Sequence, residues 1–289
     1  MDRMNLLVSD LDGTLLGDDL ELRAFADWIA EARNQFRLVY TSGRFIDSVR
    51  GSIERKRLPT PDAIVGGVGT EIYDVAAARR IIMWPPSVFE WNPYVVRSIG
   101  ETCRELTLQP EQFLSHYKVS FYGRDLDQSF IDRLMLQLTA AGLRVTMIYS
   151  SHRDLDILPA EVNKGEAAAF LANRWHIPTE RIIVAGDSGN DADMFRPEYH
   201  GIVVGNAQPE LKAMKSPRIY HAKASFAGGV LEGLRHWSQQ AELPVSGETH
   251  CRSGRFSTAL RGARRLVAEH VSLEIRNRLP DANFPWMLL

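Results

Sequence analysis

The chain predicts an α/β fold: a doubly wound parallel-sheet core interrupted once by a smaller α+β insert. Three observations carry this. Short, mainly apolar runs at 6–9, 36–40, 63–65, 182–185 and 202–204 end at glycine or polar turn residues and read as buried strands. Stretches with apolar residues at helical spacing separate them, as parallel strands covered on both faces require. The alternation breaks near Trp84-Pro85-Pro86 and resumes near Pro159.

Each element has a local cause. The first strand meets an acidic loop, Gly17-Asp18-Asp19, and a helix is predicted from about Glu21, with Leu22, Phe25, Ala26, Ile29 and Ala32 on one face. The second strand ends at Thr41-Ser42-Gly43-Arg44, and a helix is predicted over 46–56, stopped by Pro59 and Pro61. The third meets the glycine-rich turn Gly66-Gly67-Val68-Gly69. Inside the insert the pattern predicts a helix over 94–106, a strand over 118–122, a helix over 130–141 and a strand over 144–149. A helix over 165–175 leads to the strand at 182–185 and Gly186-Asp187-Ser188-Gly189-Asn190-Asp191. The strand at 202–204 delivers Gly205-Asn206-Ala207, and the segment 233–237 closes a last core helix. Residues 1–85 and 159–238 are thus expected to form the core, and 86–158 the insert. Residues 239–289 form a C-terminal extension, where Leu260, Ala263, Val267, Val271 and Ile275 make one helical stripe and Arg261, Arg264 and Arg265 the other face. That stripe reads either as a docked or dimerising helix or as a basic face for a membrane or an acidic partner.

Composition narrows the function. A chain of 289 residues, 45% hydrophobic and 24% charged, is globular, with one large or two modest domains. A net charge of -2 gives no global attraction for nucleic acid or anionic membrane. Cys103 and Cys251 match neither a metal spacing nor a disulfide scaffold. No leader-like segment and no long apolar run occurs, so a cytoplasmic protein without a membrane span is expected.

The chemistry-bearing residues fall in four separated segments, each at a strand end or a helix start. They are Asp10 with Asp12, Ser42 with Gly43 and Arg44, Lys164 in Asn163-Lys164-Gly165, and Asp187 through Asp191. A parallel sheet puts all loops that follow its strands on one edge, so the four can converge. Asp10 suits a nucleophile on phosphorus, and Asp12 an acid and base for the leaving oxygen and water. Asp10, Asp187 and Asp191 suit magnesium, with the backbone carbonyl of Asp12 as a further oxygen. Ser42 and the Gly43 N–H suit the phosphate oxygens, and Lys164 suits their charge. Taken singly, each segment has a plainer reading. Asp-x-Asp-Gly-Thr is often an Asx turn, Asp187–Asp191 a loop or cap, Ser42 a helix cap, and Lys164 a solvated lysine. Their joint order favours catalysis.

In that order the segments resemble the four motifs of the haloacid dehalogenase superfamily of phosphatases. The second acid, Asp12, resembles the phosphatase branch, and the insert resembles a type-two cap of sugar phosphatases. The core then resembles a Rossmann-like domain. A finer resemblance, to sucrose-phosphate and mannosylfructose-phosphate phosphatases, rests on Gly66–Thr70, Tyr149–Pro159, Gly201–Leu211 and Gly233–Trp237. Glu71 follows the sucrose branch and Gly233–Trp237 the mannosylfructose branch, so both sugars stay open. The resemblance implies catalytic Asp10, Asp12, Ser42 and Lys164, and a magnesium site at Asp10, Asp12, Asp187 and Asp191. It implies substrate contacts from Ser42, Gly43, Arg44, Gly69, Glu71, Lys118, Ser120, Asp154, Asp156, Asn190 and Asn206. Read from the residues alone, Asp154 and Asp156 also fit a turn before Pro159. Lys118 and Ser120 share one strand face that is either functional or solvated. The implied substrate is a phosphorylated disaccharide supplied by an upstream glycosyl-phosphate synthase. Other sugar-phosphate phosphatases, a phosphohexomutase, or a receiver-type module phosphorylated on aspartate are the alternatives. Oligomeric state is left open.

Overall fold

A computed structural model describes residues 4–86 and 89–240. The extension's amphipathic stripe lies outside them.

The core is an eight-stranded sheet in the order β12-β11-β10-β1-β2-β3-β4-β5. Its members are β1 (Asn5–Asp10), β2 (Phe36–Thr41), β3 (Ala63–Gly66), β4 (Glu71–Asp74), β5 (Arg79–Arg80), β10 (Ile182–Gly186), β11 (His200–Val203) and β12 (Ile219–His221). All pair in parallel from β12 to β3, while β4 and β5 add an antiparallel edge. Every residue of β1 and β10 is buried, as a central parallel strand covered on both faces requires. The chain moves outward from β1 to β3 on one side and from β10 to β12 on the other. The order therefore reverses between β1 and β10, where open α/β sheets leave a crevice at the strands' carboxyl ends.

Two core helices begin where a polar side chain caps them. In α1 (Asp19–Glu31), Asp18 accepts from the N–H groups of Leu20 and Glu21, and Leu22, Phe25 and Ile29 are buried. Helix α2 (Ile46–Lys56) follows β2. The later core helices are α5 (Lys164–Arg174), α6 (Pro209–Lys212) and α7 (Phe226–Gln239). In α5, Asn163 caps through the Glu166 N–H at 2.8 Å.

The inserted region forms its own sheet, β6-β7-β9-β8, antiparallel throughout. Its strands are β6 (Thr107–Leu108), β7 (Val119–Tyr122), β8 (Val145–Ser150) and β9 (Asp154–Pro159). Helices α3 (Pro93–Thr102) and α4 (Gln128–Ala140) cover one face, and Val96, Phe130, Leu134 and Leu138 cluster with Val119, Phe121, Leu155 and Ile157. Successive strand residues point to opposite faces. Ser120 and Tyr122 on β7, and Asp154 and Asp156 on β9, therefore face away from the helices. A small apolar cluster joins Val68 of the core to Ile148 and Leu158 of the inserted sheet.

The structure adds to or departs from the expected elements at three places. The helix expected over 94–106 stops at Thr102, because Cys103 is extended and the chain turns to enter β6. Residues 71–80 form the β4–β5 hairpin, closed where the Asp74 carboxylate accepts from the Ala77 N–H at 3.0 Å. Residues 154–159 are a strand between β7 and β8, not a turn, with Pro159 at its end, where a missing donor costs least. No helix of the described residues is long and apolar enough to cross a membrane.

Candidate active site

The switch point assembles the first and fourth segments. Asp10 ends β1, and Asp187 follows β10 on the adjacent strand, so register alone brings the two carboxylates together. Gly13 has φ +87, and a side chain there would run into the Asp187 carboxylate, so this turn needs glycine. Thr14 donates to Asp187 Oδ1 at 2.8 Å. The loop after β10 folds back on itself: Asp191 Oδ2 accepts from the N–H groups of Asp187 at 2.9 Å and Ser188 at 3.2 Å.

Lys164 is fully buried, not solvated. Its ammonium donates at 2.7 Å to each of Asp10 Oδ1, Asn190 Oδ1 and Asp191 Oδ1. Helix α5 comes close enough for this because Gly165 lies against the Asp193 backbone carbonyl, where any side chain would collide. Burial works against the lysine's charge, but Asp10 and Asp191 outweigh it and hold Lys164 above the ordinary lysine range. Burial, partly offset by Lys164 and reinforced by Asp191 and Asp187, pushes Asp10 well above the usual carboxylate range. Burial and the neighbouring Asp191 push Asp187 up to about 7.

One lysine is too little charge for three buried carboxylates. Asp10, Asp187 and Asp191 have oxygens within 4.8 Å of one another and are the one such group among the described residues. An all-oxygen donor set with excess negative charge fits a hard divalent cation such as magnesium. The Asp12 carboxylate does not join them. Its Oδ2 accepts from Arg44 Nε at 2.7 Å and from Ser42 Oγ at 3.2 Å.

A cleft of about 350 Å³ separates the carboxylates from the inserted sheet. Asp10, Asp12, Gly43, Arg44 and Asn190 line its core side, and Lys118, Asp154 and Asp156 the other. Register sets Ser120 opposite Asp156, and Ser120 Oγ donates to Asp156 Oδ1 at 2.5 Å. Lys118 Nζ pairs with Asp156 at 2.8 Å and lies 5.9 Å from the Phe45 ring of the core. The polar face is thus a buried, hydrogen-bonded array rather than a solvated one.

Five expected substrate contacts do not line this cleft. Ser42 and Ser120 are fully buried, donating to Asp12 and Asp156. Glu71 Oε1 accepts from the Ile46 N–H at 2.7 Å, at the start of α2, and its Oε2 pairs with Arg80 at 3.1 Å. A helix N-terminus attracts a carboxylate, which turns Glu71 inward. Asn206 bridges two loops, donating to the Gly13 carbonyl at 2.7 Å and accepting from the Phe226 N–H at 2.8 Å. Gly69 is buried under the Trp84 indole, which donates to its carbonyl at 2.7 Å. The cleft also contains residues that the motifs did not single out: Gln109, Phe113, Tyr122, Ser150, Arg153 and Ser188. Gln109 donates to Asp154 at 3.1 Å, and Arg153 clamps the same carboxylate from 2.7 Å. Arg153 was visible, adjoining Asp154; Gln109 carries no sequence signal.

Known proteins resemble the chain in sequence and fold. The family model for sucrose-6F-phosphate phosphohydrolase matches residues 3–238. The chain is 36% identical to the mannosylfructose-phosphate phosphatase of Agrobacterium fabrum, over 82% of this chain and 98% of that protein. It is 34% identical to sucrose-phosphatase 1 of Nicotiana tabacum, over 81% of this chain but 59% of the tobacco protein. The Synechocystis sucrose-phosphatase, solved with sucrose and phosphate, superposes with a TM-score of 0.77 at 32% identity, covering 82% of this chain and 99% of that one. The chain therefore belongs to the sucrose-6F-phosphate phosphohydrolase family of the haloacid dehalogenase superfamily, and it is a phosphoric monoester hydrolase.

Proposed function

We propose that the chain is a magnesium-dependent phosphatase of a glycosyl-fructose 6-phosphate, either mannosylfructose 6-phosphate or sucrose 6-phosphate. The observation that carries this is the opposition of two groups across one cleft. On one side lie Asp10 and Asp12, and on the other Lys118, Asp154 and Asp156, with Lys118 and Ser120 both bonded to Asp156. Residues 1–85 and 159–238 act as the catalytic core, and 86–158 as the cap that reads the sugar. A synthase joining a hexose to fructose 6-phosphate would supply such a substrate.

The chemistry follows from the side chains present. An Asp10 oxygen attacks phosphorus, and the bond from phosphorus to the sugar oxygen breaks. The electron pair leaves with that oxygen, which takes a proton from the Asp12 carboxyl group. Asp12, now a carboxylate, takes a proton from water as the water attacks the phosphoryl group on Asp10. The bond to Asp10 then breaks, returning its carboxylate and releasing phosphate. The Gly43 N–H holds a phosphoryl oxygen, the Ser42 hydroxyl does so by turning to it from Asp12, and Lys164 balances charge at Asp10. Magnesium held by Asp10, Asp187 and Asp191 would offset negative charge on the phosphoryl oxygens, with the Asp12 carbonyl as a further ligand.

Phosphate release from the two disaccharide phosphates, with magnesium and with chelator, tests this reading. Chelator-sensitive release from one or both is expected. Isomerisation of hexose phosphates without net phosphate release would identify a mutase instead.

The metal site makes a second prediction. A carboxyl raised to about 7, as at Asp187, binds a proton in the folded chain that it loses on unfolding. Its contribution to stability is complete below its ordinary pKa and is lost as the pH rises through about 7. Magnesium must displace that proton. Added magnesium should therefore raise the melting temperature strongly at about pH 8 and little at about pH 5.5. An equal shift at both would count against these carboxylates as the site.

A further inference from the structure

Arg44 holds a place that phosphate binding does not explain. Its side chain spans from helix α2 to the Asp12 carboxylate. Nη1 donates to Ser52 Oγ on α2 at 2.8 Å, and Nε donates to Asp12 Oδ2 at 2.7 Å. Its backbone N–H donates to Ser42 Oγ at 3.0 Å, and that hydroxyl donates in turn to the same Asp12 oxygen. Nη2 is buried and has no partner among the described residues. The Asp12 side chain is 52% exposed on its loop, so little packing restrains its rotation. Its other oxygen, Oδ1, has no protein partner among the described residues.

We propose that Arg44, anchored by Ser52, is a positioning residue for the acid–base carboxylate: it ties down one oxygen of Asp12 and so orients the other toward the leaving oxygen. The proposal rests on the reading of Asp12 as the group that protonates the sugar oxygen. A guanidinium suits this because its nitrogens are rigidly planar, so fixing Nη1 on a helix also fixes the direction of Nε. Proton transfer depends steeply on such alignment, and a positioned acid contributes about 10²–10⁴-fold.

A sugar oxygen needs a proton to leave, whereas p-nitrophenolate leaves without one. The first step is therefore measured by rapid quench with enzyme in excess, on the better disaccharide phosphate and on p-nitrophenyl phosphate. In Arg44→Gln the rate should fall about 100-fold on the sugar phosphate and less than about 10-fold on the aryl phosphate, with KM for the sugar phosphate changed little. Arg44→Lys keeps the charge but not the planar fork and should show most of the same split. Ser52→Ala removes no group from the cleft and should show a smaller split, about 3–10-fold, in the same direction. Equal losses on both substrates, or a rise in KM with the first-step rate intact, would show that Arg44 binds the phosphoryl group and would overturn the proposal. So would an unchanged rate. Asp12→Asn in the same assay tests the underlying reading: without a split there, the assignment of the acid itself fails, whatever Arg44 does.

Discussion

Asp10→Asn should abolish phosphate release, by at least about 10⁴-fold, while leaving the fold intact. The two halves of that expectation have separate causes. The amide cannot form the phosphoryl bond, so the covalent route closes. It also removes one of three carboxylates that repel each other in a buried space, where burial already pushes Asp10 toward its protonated form. The variant's melting temperature in chelator should therefore equal or exceed that of the parent. Steady-state phosphate release and thermal unfolding, run on the same preparation, check both halves. A variant that retains turnover would remove Asp10 from the role of nucleophile. One that is inactive and strongly destabilised would show that the carboxylate is held for structure.

Lys164→Met should lose both activity and stability. Methionine fills similar volume but leaves Asp10, Asn190 and Asp191 without the donor they share. Breaking a buried ion pair from one side costs about 3–5 kcal/mol, because the remaining charge is uncompensated. In a domain of this size that is on the order of 10 °C in melting temperature. Turnover should fall about 10³-fold, through loss of charge beside the nucleophile. The stability deficit should also depend on pH. Without Lys164, which partly offsets the effect of burial on Asp10, Asp10 takes up a proton more readily, and protonation relieves the strain. The gap between variant and parent should therefore be widest above neutrality and should narrow as the pH falls. Thermal unfolding between about pH 5 and pH 8 measures this, and a gap independent of pH would mean the loss is one of packing alone.

Much of this site was legible in the sequence because the signals are local. Asp10 and Asp12 follow an apolar run, Ser42-Gly43-Arg44 follows a second, and Asp187–Asp191 follows a third. A parallel sheet brings such segments to one edge whatever the details. The cap strand at 154–159 was not among the expected elements, and a turn before Pro159 stayed open as the plainer alternative, although the strand's alternation was present: Asp154 and Asp156 lie on one face, Leu155 and Ile157 on the other. Two acids and a terminal proline hid a strand whose polar face looks inward to a cleft. The β4–β5 hairpin was missed because it is short and sits at an exposed edge, where apolar patterning is weak.

The roles of single polar residues were another matter. Lys164 looks like any surface lysine until β1 and the loop after β10 deliver carboxylates to it, 154 and 27 residues away in sequence. Glu71 and Asn206 lie in family-like segments, yet one turns beneath a helix N-terminus and the other ties two loops together. Arg44 reads from the sequence as a substrate contact, and its contact with Asp12 is visible only in the structure. By itself, the sequence determined the central parallel strands, most helices, their order, and hence the edge where the chemistry gathers, since hydrophobic periodicity and turn residues act over a few positions. Only the tertiary structure decided which charges are buried, which are paired and which face the cleft. Those properties depend on distances between residues far apart in the chain, and local pattern carries no information about them.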